Sequence, residues 1–146
     1  MFSNTGQPLI SIAMCTYNGE RFLAAQIDSI LNQTWKNLEL VIVDDCSTDG
    51  TLAIAEERGQ KDHRIRIYKN ARNLGINQNF SHALSLCQGE LIAPCDQDDI
   101  WHPDKLMRLQ HQLGDHVMAY CDSQLMNADG SPMNMRISDR LHMYQG

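Results

Sequence analysis

The chain has 146 residues, of which 42% are hydrophobic and 21% are charged, and its formal net charge is −6 at pH 7. This composition is typical of one ordinary globular domain and excludes a disordered tail. The acidic balance argues against binding of nucleic acid, which needs a basic surface. An acidic protein can still bind an anionic nucleotide if a metal ion bridges the two.

We identify no targeting or membrane-spanning segment in the sequence. Its N-terminus lacks a basic region followed by an apolar one, and no apolar run approaches the length of about 20 residues that spans a bilayer. The five cysteines are odd in number and scattered, without the spacing of a zinc site. We therefore expect reduced thiols in a cytoplasmic protein, with any membrane attachment peripheral and at the inner face of the membrane.

Short apolar runs alternate with amphipathic stretches along most of the chain. Strands are predicted over residues 9–15, 38–43, 64–68 and 91–95. Helices are predicted over residues 20–32, from the polar turn after Asp44 to Arg58 with Gly59 as its end, over residues 76–87 with Gly89 as the stop, and from Pro103 onward. This alternation predicts an α/β fold with a mostly parallel sheet flanked by helices, in a single domain over residues 1–146.

The pattern is weaker in the last part of the chain. A further strand is predicted over residues 117–126, and a turn over residues 128–131 leads into one more. After Asn134 the sequence is polar and rich in methionine, and it predicts no clear element. Pro94 lies inside the strand over residues 91–95, where its missing N–H predicts a bulge or a local irregularity.

Three carboxylates follow the strand over residues 91–95, in the motif Asp96-Gln97-Asp98-Asp99. Clustered acids at a strand end lie at the edge where open α/β sheets bind ligands, and they repel one another unless a cation compensates them. Hard oxygen ligands there suit Mg²⁺ or Mn²⁺ carrying a phosphorylated ligand. The alternative for this motif alone is a solvated acidic turn that precedes a helix.

Two other predicted strand ends carry polar side chains. Thr16, Tyr17 and Asn18 offer hydroxyl and amide groups and an aromatic face, which can stack on a base and bond its edge. Asp44 and Asp45 end the second strand, and Asp45 can accept a hydrogen bond from a base N–H or a ribose hydroxyl. Helix capping explains Ser47, Thr48 or Asp49 but not two adjacent carboxylates.

Five segments, in this order, make the sequence resemble the family 2 glycosyltransferases. They lie within the stretch from Leu9 to Met126: Ser11–Gly19, Ser29–Thr34, Val43–Thr51, Asn73-Leu74-Gly75 and Cys95–Leu106. The resemblance implies a GT-A fold, a Rossmann-like nucleotide-diphospho-sugar transferase fold. It also implies transfer of a sugar, with inversion, from a nucleotide-diphosphate sugar to an acceptor hydroxyl on a saccharide or lipid-linked saccharide, as in bacterial cell-surface polysaccharide synthesis.

The same resemblance implies roles for individual residues. Tyr17 and Asp45 would contact the nucleobase, with Thr16 beside them. Asp96 would lie near the ribose or the metal, and Asp98 would be the principal ligand of Mn²⁺ or Mg²⁺. Asp99 would brace the turn. The Asp-Gln-Asp-Asp-Ile-Trp motif is most similar to that of rhamnosyltransferase-type members.

Family members place the general base well after the acidic motif, in an acceptor-binding half. We expect this half to be missing and the chain to be truncated at its C-terminus, so that the chain alone binds the donor but transfers sugar poorly. Asp122, Asp129 and Asp139 are the acids after Asp115, and we assign none of them as the base. An apolar face left exposed would favour a homodimer.

Two other functions stay open from the sequence. One is a non-catalytic nucleotide-sugar-binding module, in which the motifs serve folding or sensing. The other is a different metal-dependent phosphate enzyme with aspartates at strand ends. The identity of the nucleotide, sugar, acceptor and linkage is not encoded in any motif that we can place.

Overall fold

The computed structural model describes residues 6–141, with side chains up to position 139. Its elements, in chain order, are β1 Ile10–Thr16, α1 Glu20–Leu31, β2 Leu38–Asp44, α2 Thr51–Lys61, β3 Ile65–Lys69, α3 Ile76–Leu86, β4 Leu91–Cys95, α4 Lys105–Leu113, β5 Gln124–Met126, β6 Pro132–Arg136 and α5 Ile137–Leu141. Two compact units divide between Leu106 and Met107. No helix in the described range is long and apolar enough to cross a membrane.

The first unit contains a four-stranded parallel sheet in the order β3-β2-β1-β4. From β1 the chain passes to β2 on one side, and it later returns to place β4 on the other side. The switch point, where open α/β sheets bind ligands, therefore lies at the carboxyl ends of β1 and β4. This arrangement confirms the predicted mostly parallel sheet with flanking helices.

Each face of the parallel sheet has its own apolar core. Ile12, Met14 and Ile42 point to one face, where they pack with apolar residues of α1 and α2. Ala13 and Val43 alternate with them and pack against α3 on the other face. All residues of β2 are buried, as expected for a strand covered on both faces, and residues 40–43 accordingly form a continuous apolar run rather than an alternation.

Two predicted helix boundaries are wrong. The second helix does not end at Gly59 but continues to Lys61. Gly59 lies within this helix, and a Cβ there would be 2.8 Å from Cδ1 of Ile67 on β3, an atom at the end of a side chain that can shift. The fourth helix begins at Lys105 instead of Pro103, since residues 103–104 form a turn whose carbonyl at Pro103 accepts the Thr34 N–H at 2.9 Å.

The bulge predicted at Pro94 is also wrong. Strand β4 keeps a continuous register with β1 from Leu91 opposite Ile10 to Cys95 opposite Met14. Leu91 N donates to the Leu9 carbonyl across this pair, so alternation directs the nitrogen of Pro94 away from β1. Strand β4 is an edge strand in the described part of the chain, so the nitrogen of Pro94 faces no further strand and its missing N–H breaks no ladder bond.

The second unit departs most from the sequence prediction. Only Gln124–Met126 of the predicted strand over residues 117–126 is extended and paired, and its partner is β6 in an antiparallel hairpin apart from the parallel sheet. The turn prediction over residues 128–131 is confirmed by the Gly130 N–H bond to Asn127 O and by the Gly130 φ of 84°. The strand predicted after this turn is β6, and the short helix α5 lies where no clear element was predicted.

Candidate functional site

A cleft of about 550 Å³ opens at the carboxyl ends of β1, β2 and β4, within the first unit. Its volume lies in the range of small-molecule and cofactor sites. The cleft brings together five of the six residues that sequence analysis selected: Thr16, Tyr17, Asp45, Asp96 and Asp98. The strand register accounts for this convergence, because Thr16 pairs with Asp44 and Met14 pairs with Cys95.

Asn18 is the selected residue that does not line the cleft. Its amide oxygen accepts a hydrogen bond from Thr48 N at 2.8 Å, and its own N–H donates to Ser47 Oγ at 3.0 Å. These bonds join the loop after β1 to the loop after β2 and accompany a left-handed φ of 48°, which asparagine tolerates. The structure thus gives Asn18 a role in holding the two loops together.

Tyr17 and Thr16 differ in how much they offer to a ligand. The Tyr17 side chain is half-exposed, so its ring is open for stacking. Thr16 is buried, and its hydroxyl donates to Oδ1 of Asp44 at 3.0 Å. Asp44 also accepts the Ser47 N–H at 2.9 Å. Asp44 therefore serves the loop after β2 and does not line the cleft.

Asp45 is a buried carboxylate with three internal donors. Asn70 Nδ2 and Leu74 N donate to Oδ1 at 2.7 and 2.8 Å, and Gly75 N donates to Oδ2 at 2.9 Å. Burial opposes ionisation, but these bonds outweigh it and hold the pKa of Asp45 below its usual range. A carboxylate has about four lone-pair sites, so Asp45 keeps one acceptor position on Oδ2 for a ligand N–H or O–H.

Asp96 and Asp98 are exposed acids on the opposite wall of the cleft. Within residues 6–141, neither carboxylate forms an ion pair or a hydrogen bond, and no three acidic, cysteine or histidine side chains cluster as a metal site. Two hard oxygen donors fit Mg²⁺ or Mn²⁺ in the manner of nucleotide sites, where substrate phosphates and water supply the remaining ligands. The donor set therefore fits a cation that arrives with a diphosphate.

The pKa values of two neighbouring groups reflect the negative potential around these carboxylates. Burial, followed by the charges of Asp45 and Asp96, raises the pKa of the Cys15 thiol to about 12, so Cys15 lines the cleft as a neutral thiol. Partial desolvation raises the pKa of Asp99; Lys105 opposes this shift, and the Asp96 and Asp98 charges add to it. A bound cation would relieve this repulsion.

Several cleft residues were not selected from the sequence. Asn73, Ile76, Asn79 and Phe80 line it from the loop before α3 and from the first turns of that helix. The signal for them was the Asn73-Leu74-Gly75 motif, which was identified without a site role. Ile76 and Phe80 lie in the helix predicted over residues 76–87 and were given no site role, although the 67% exposure of Ile76 leaves it open to a ligand.

The acids after residue 115 that were considered as bases lie in the second unit and have partners there. Asp122 accepts hydrogen bonds from the Ser138 N–H and hydroxyl, and Asp129 accepts from the N–H of Ser131 at 2.9 Å. Asp139 accepts the Arg136 N–H at 2.8 Å. Their contacts explain these carboxylates as parts of the turns and hairpin, and no base is assigned to any of them.

Comparison of the sequence with known families and proteins gives a consistent result. The model of the glycosyl transferase family 2 matches residues 11–144. An uncharacterised glycosyltransferase of Haemophilus influenzae is 39% identical over 114 residues, which are 77% of this chain and 35% of that protein. TuaG of Bacillus subtilis, a candidate teichuronic acid biosynthesis glycosyltransferase, is 33% identical over 130 residues, which are 88% of this chain and 52% of that protein.

Solved structures show the same fold. S. aureus TarS 1-349 in complex with UDP aligns with a TM-score of 0.67 at 29% identity, covering 73% of this chain and 32% of that one. The mannosyltransferase PcManGT from Pyrobaculum calidifontis, in complex with GDP-Man and Mn²⁺, aligns with a TM-score of 0.71 at 26% identity, covering 76% and 34%. These alignments confirm the GT-A fold. The chain spans about a third to a half of the length of the relatives described here.

Proposed function

This chain belongs to the glycosyl transferase family 2, and from that premise we propose that it forms the donor site of an enzyme that transfers sugar from a nucleotide-diphosphate sugar to an acceptor hydroxyl. The observation that carries the proposal is that one cleft holds an open aromatic ring, a buried carboxylate and two carboxylates that have no partner within the described residues. The distribution of these groups suits a ligand with one flat end and one anionic end.

The nucleoside would lie against Tyr17 and Asp45. The half-exposed ring supplies a stacking surface. The remaining acceptor position of Asp45 suits a base N–H or a ribose hydroxyl, and the donors from Asn70, Leu74 and Gly75 keep this carboxylate ionised and fixed in direction. Thr16 would support this region through its hydrogen bond to Asp44.

Asp96 and Asp98 would hold Mn²⁺ or Mg²⁺, with Asp98 as the principal ligand. When bound, the cation would neutralise the charge that develops on the diphosphate as the bond to the sugar breaks. Support comes from the unpaired state of both carboxylates in the described chain and from the similar PcManGT structure, which contains Mn²⁺. Attack of the acceptor hydroxyl on the face opposite the diphosphate would invert the configuration of the sugar and requires a general base.

The acceptor in this proposal is a saccharide or lipid-linked saccharide of a bacterial surface polysaccharide. The similarity to TuaG, whose name refers to teichuronic acid biosynthesis, supports this class. We place the protein in the cytoplasm, at the inner face of the membrane. All five cysteines are free thiols, which fits a reducing compartment.

Calorimetry with UDP, dTDP and GDP, each with and without Mn²⁺, tests the donor site. We expect one diphosphate to bind in a Mn²⁺-dependent manner. Asp98→Asn should weaken this binding by at least about tenfold, because loss of even an outer-shell partner of a metal costs that much. The matched control is Glu90→Gln, which removes one negative charge at the other end of β4 and should leave binding unchanged.

Two outcomes would count against the proposal. If the folded chain binds none of the three diphosphates, the donor site is wrong. If the full-length gene product binds the diphosphate but transfers no sugar from the corresponding nucleotide sugar to any saccharide acceptor, a non-catalytic binding module is the better description.

A further inference from the structure

The side chain of Gln97, between the two proposed metal ligands, forms a closed pair of hydrogen bonds with one distant residue. Tyr17 N donates to Gln97 Oε1 at 2.9 Å, and Gln97 Nε2 donates to Tyr17 O at 3.0 Å, across 80 residues of sequence. The pair has the pattern of two strand residues that exchange both backbone bonds. The β1–β4 ladder ends at Met14 and Cys95, and Gln97 continues the connection between the two chain segments beyond it.

Gly19, which lies directly against the Gln97 amide, gives a second observation on this contact. A Cβ on Gly19 would lie 2.2 Å from Gln97 Oε1 and 2.3 Å from its amide carbon. Gly19 has an ordinary negative φ of −110°, so its backbone conformation does not require glycine. A side chain at position 19 would displace the Gln97 amide from its two hydrogen bonds with Tyr17.

The hydrogen bonds between Gln97 and Tyr17 connect the two walls of the cleft. Asp96, Gln97 and Asp98 are consecutive, so any force that fixes the two carboxylates also fixes the Gln97 backbone. Gln97 in turn holds the peptide groups of Tyr17, whose ring lines the same cleft. A side-chain amide suits this pair because it carries a donor and an acceptor on two atoms bonded to one carbon, whereas an ionised carboxylate at this position would lack the donor.

We propose that Gln97 is a positioning residue that couples cation binding at Asp96 and Asp98 to nucleoside binding at Tyr17. This inference rests on the proposed donor site. The cation orders the acidic loop, the loop holds the Tyr17 peptide through the Gln97 amide, and the ring is then fixed for stacking. Because coupling between binding sites is reciprocal, the nucleoside should tighten cation binding by the same factor.

The test must exclude the direct bond between a cation and the diphosphate, which would itself couple the two ligands. We therefore use uridine, thymidine and guanosine, which lack phosphate, and titrate each by NMR with and without saturating Mg²⁺. In the wild type, Mg²⁺ should tighten binding of the preferred nucleoside by at least about fivefold, the lower end of typical couplings. In Gln97→Met, which keeps the side-chain length but loses both hydrogen bonds, this factor should fall to near one.

Two further variants distinguish a loss of coupling from a general loss of stability. Gln60→Met makes the same substitution at an exposed position of α2 and should leave the coupling unchanged. Gly19→Ala presses on the Gln97 amide from the other side and should lower both the coupling and the Tm. Adding Gln97→Ala to Gly19→Ala should remove the clash, so that the Tm losses of the two changes are less than additive.

The results distinguish this inference from the proposed function. If the wild type binds a nucleoside diphosphate with Mn²⁺ but Gln97→Met retains the full Mg²⁺–nucleoside coupling, or if the wild type shows none, the Gln97 inference is overturned and the donor site stands. If the wild type binds no nucleoside diphosphate at all, the donor site is overturned and the inference falls with it.

Discussion

Asp45 and Asp98 line the same cleft, yet their surroundings are opposite. Asp45 is 3% exposed and accepts three hydrogen bonds. Asp98 is exposed and accepts no hydrogen bond from the described residues. A carboxylate whose lone pairs are filled by the protein shapes the site, and one whose lone pairs are free can bind a cation. The two acids therefore make different contributions to stability.

We expect Asp45→Asn to lower the free energy of unfolding at pH 7 by about 2–3 kcal/mol, since hydrogen bonds to a buried charged group are lost and an amide N–H₂ would face other donors. Urea denaturation measures this change. Asp98→Asn is the matched control, and it should be neutral or slightly stabilising without cation because it removes one of three neighbouring like charges. A neutral Asp45→Asn variant would contradict the role given to this carboxylate.

The cost of Asp45→Asn should also depend on pH. The folded-state pKa of Asp45 lies below its ordinary value, so its ionised form stabilises the fold above the unfolded-state pKa of about 3.9. That contribution is lost as the pH falls through the lower folded-state pKa. Urea denaturation at pH 7, 5 and 3.5 should therefore show the difference between wild type and variant shrinking only at the lowest pH.

At the scale of elements, the turn from α3 into β4 depends on a close approach of backbones. A Cβ on Gly89 would lie 2.6 Å from the Leu9 carbonyl oxygen and 2.7 Å from Ser11 N on β1. Gly89 N also donates to Ser11 Oγ at 2.7 Å, and Ser11 Oγ donates to the buried Glu39. The end of α3 is thereby held against the amino ends of β1 and β2.

Gly89→Ala should lower the free energy of unfolding by about 1–3 kcal/mol, because the clash involves backbone atoms that cannot rotate away. Gly6→Ala, at a position with no heavy atom within 4 Å of the added Cβ, is the control and should be neutral. Chemical denaturation of both variants gives the comparison. Equal stabilities would mean that the turn can move away from β1 at no cost.

Gly59 and Gly89 show why helix ends were only partly predictable. Both glycines were interpreted as helix stops, yet α2 runs through Gly59 and α3 ends at Leu86, before Gly89. Both glycines lie against other elements: Gly59 lies near the side chain of Ile67 on β3, and Gly89 lies near the backbone of Leu9 and Ser11. Local sequence contains the glycine but not these neighbours.

At the scale of the whole molecule, β4 is one of the two edge strands of the parallel sheet in the described chain. Ile92 on this strand is 46% exposed, and an apolar edge strand favours pairing with another chain. We expect light scattering at about 100 μM to give a mass above the monomer for the wild type. Ile92→Lys should return the mass to that of the monomer, because a charged edge residue opposes strand pairing.

The charge-matched control for this association is Gln60→Lys on the exposed side of α2. It adds the same charge away from the edge strand and should leave the mass unchanged. A monodisperse wild-type monomer would refute the expectation of a homodimer.

The sequence by itself determined the strands and helices of the parallel sheet and the order of its polar strand ends, because apolar runs and amphipathic periods are local properties. It also determined the family, since its motifs are continuous. Tertiary structure decided which acids stay free, that the Asn18 amide binds Thr48, and that Gln97 binds Tyr17. These pairings depend on strand order and register, which join residues that no local period connects.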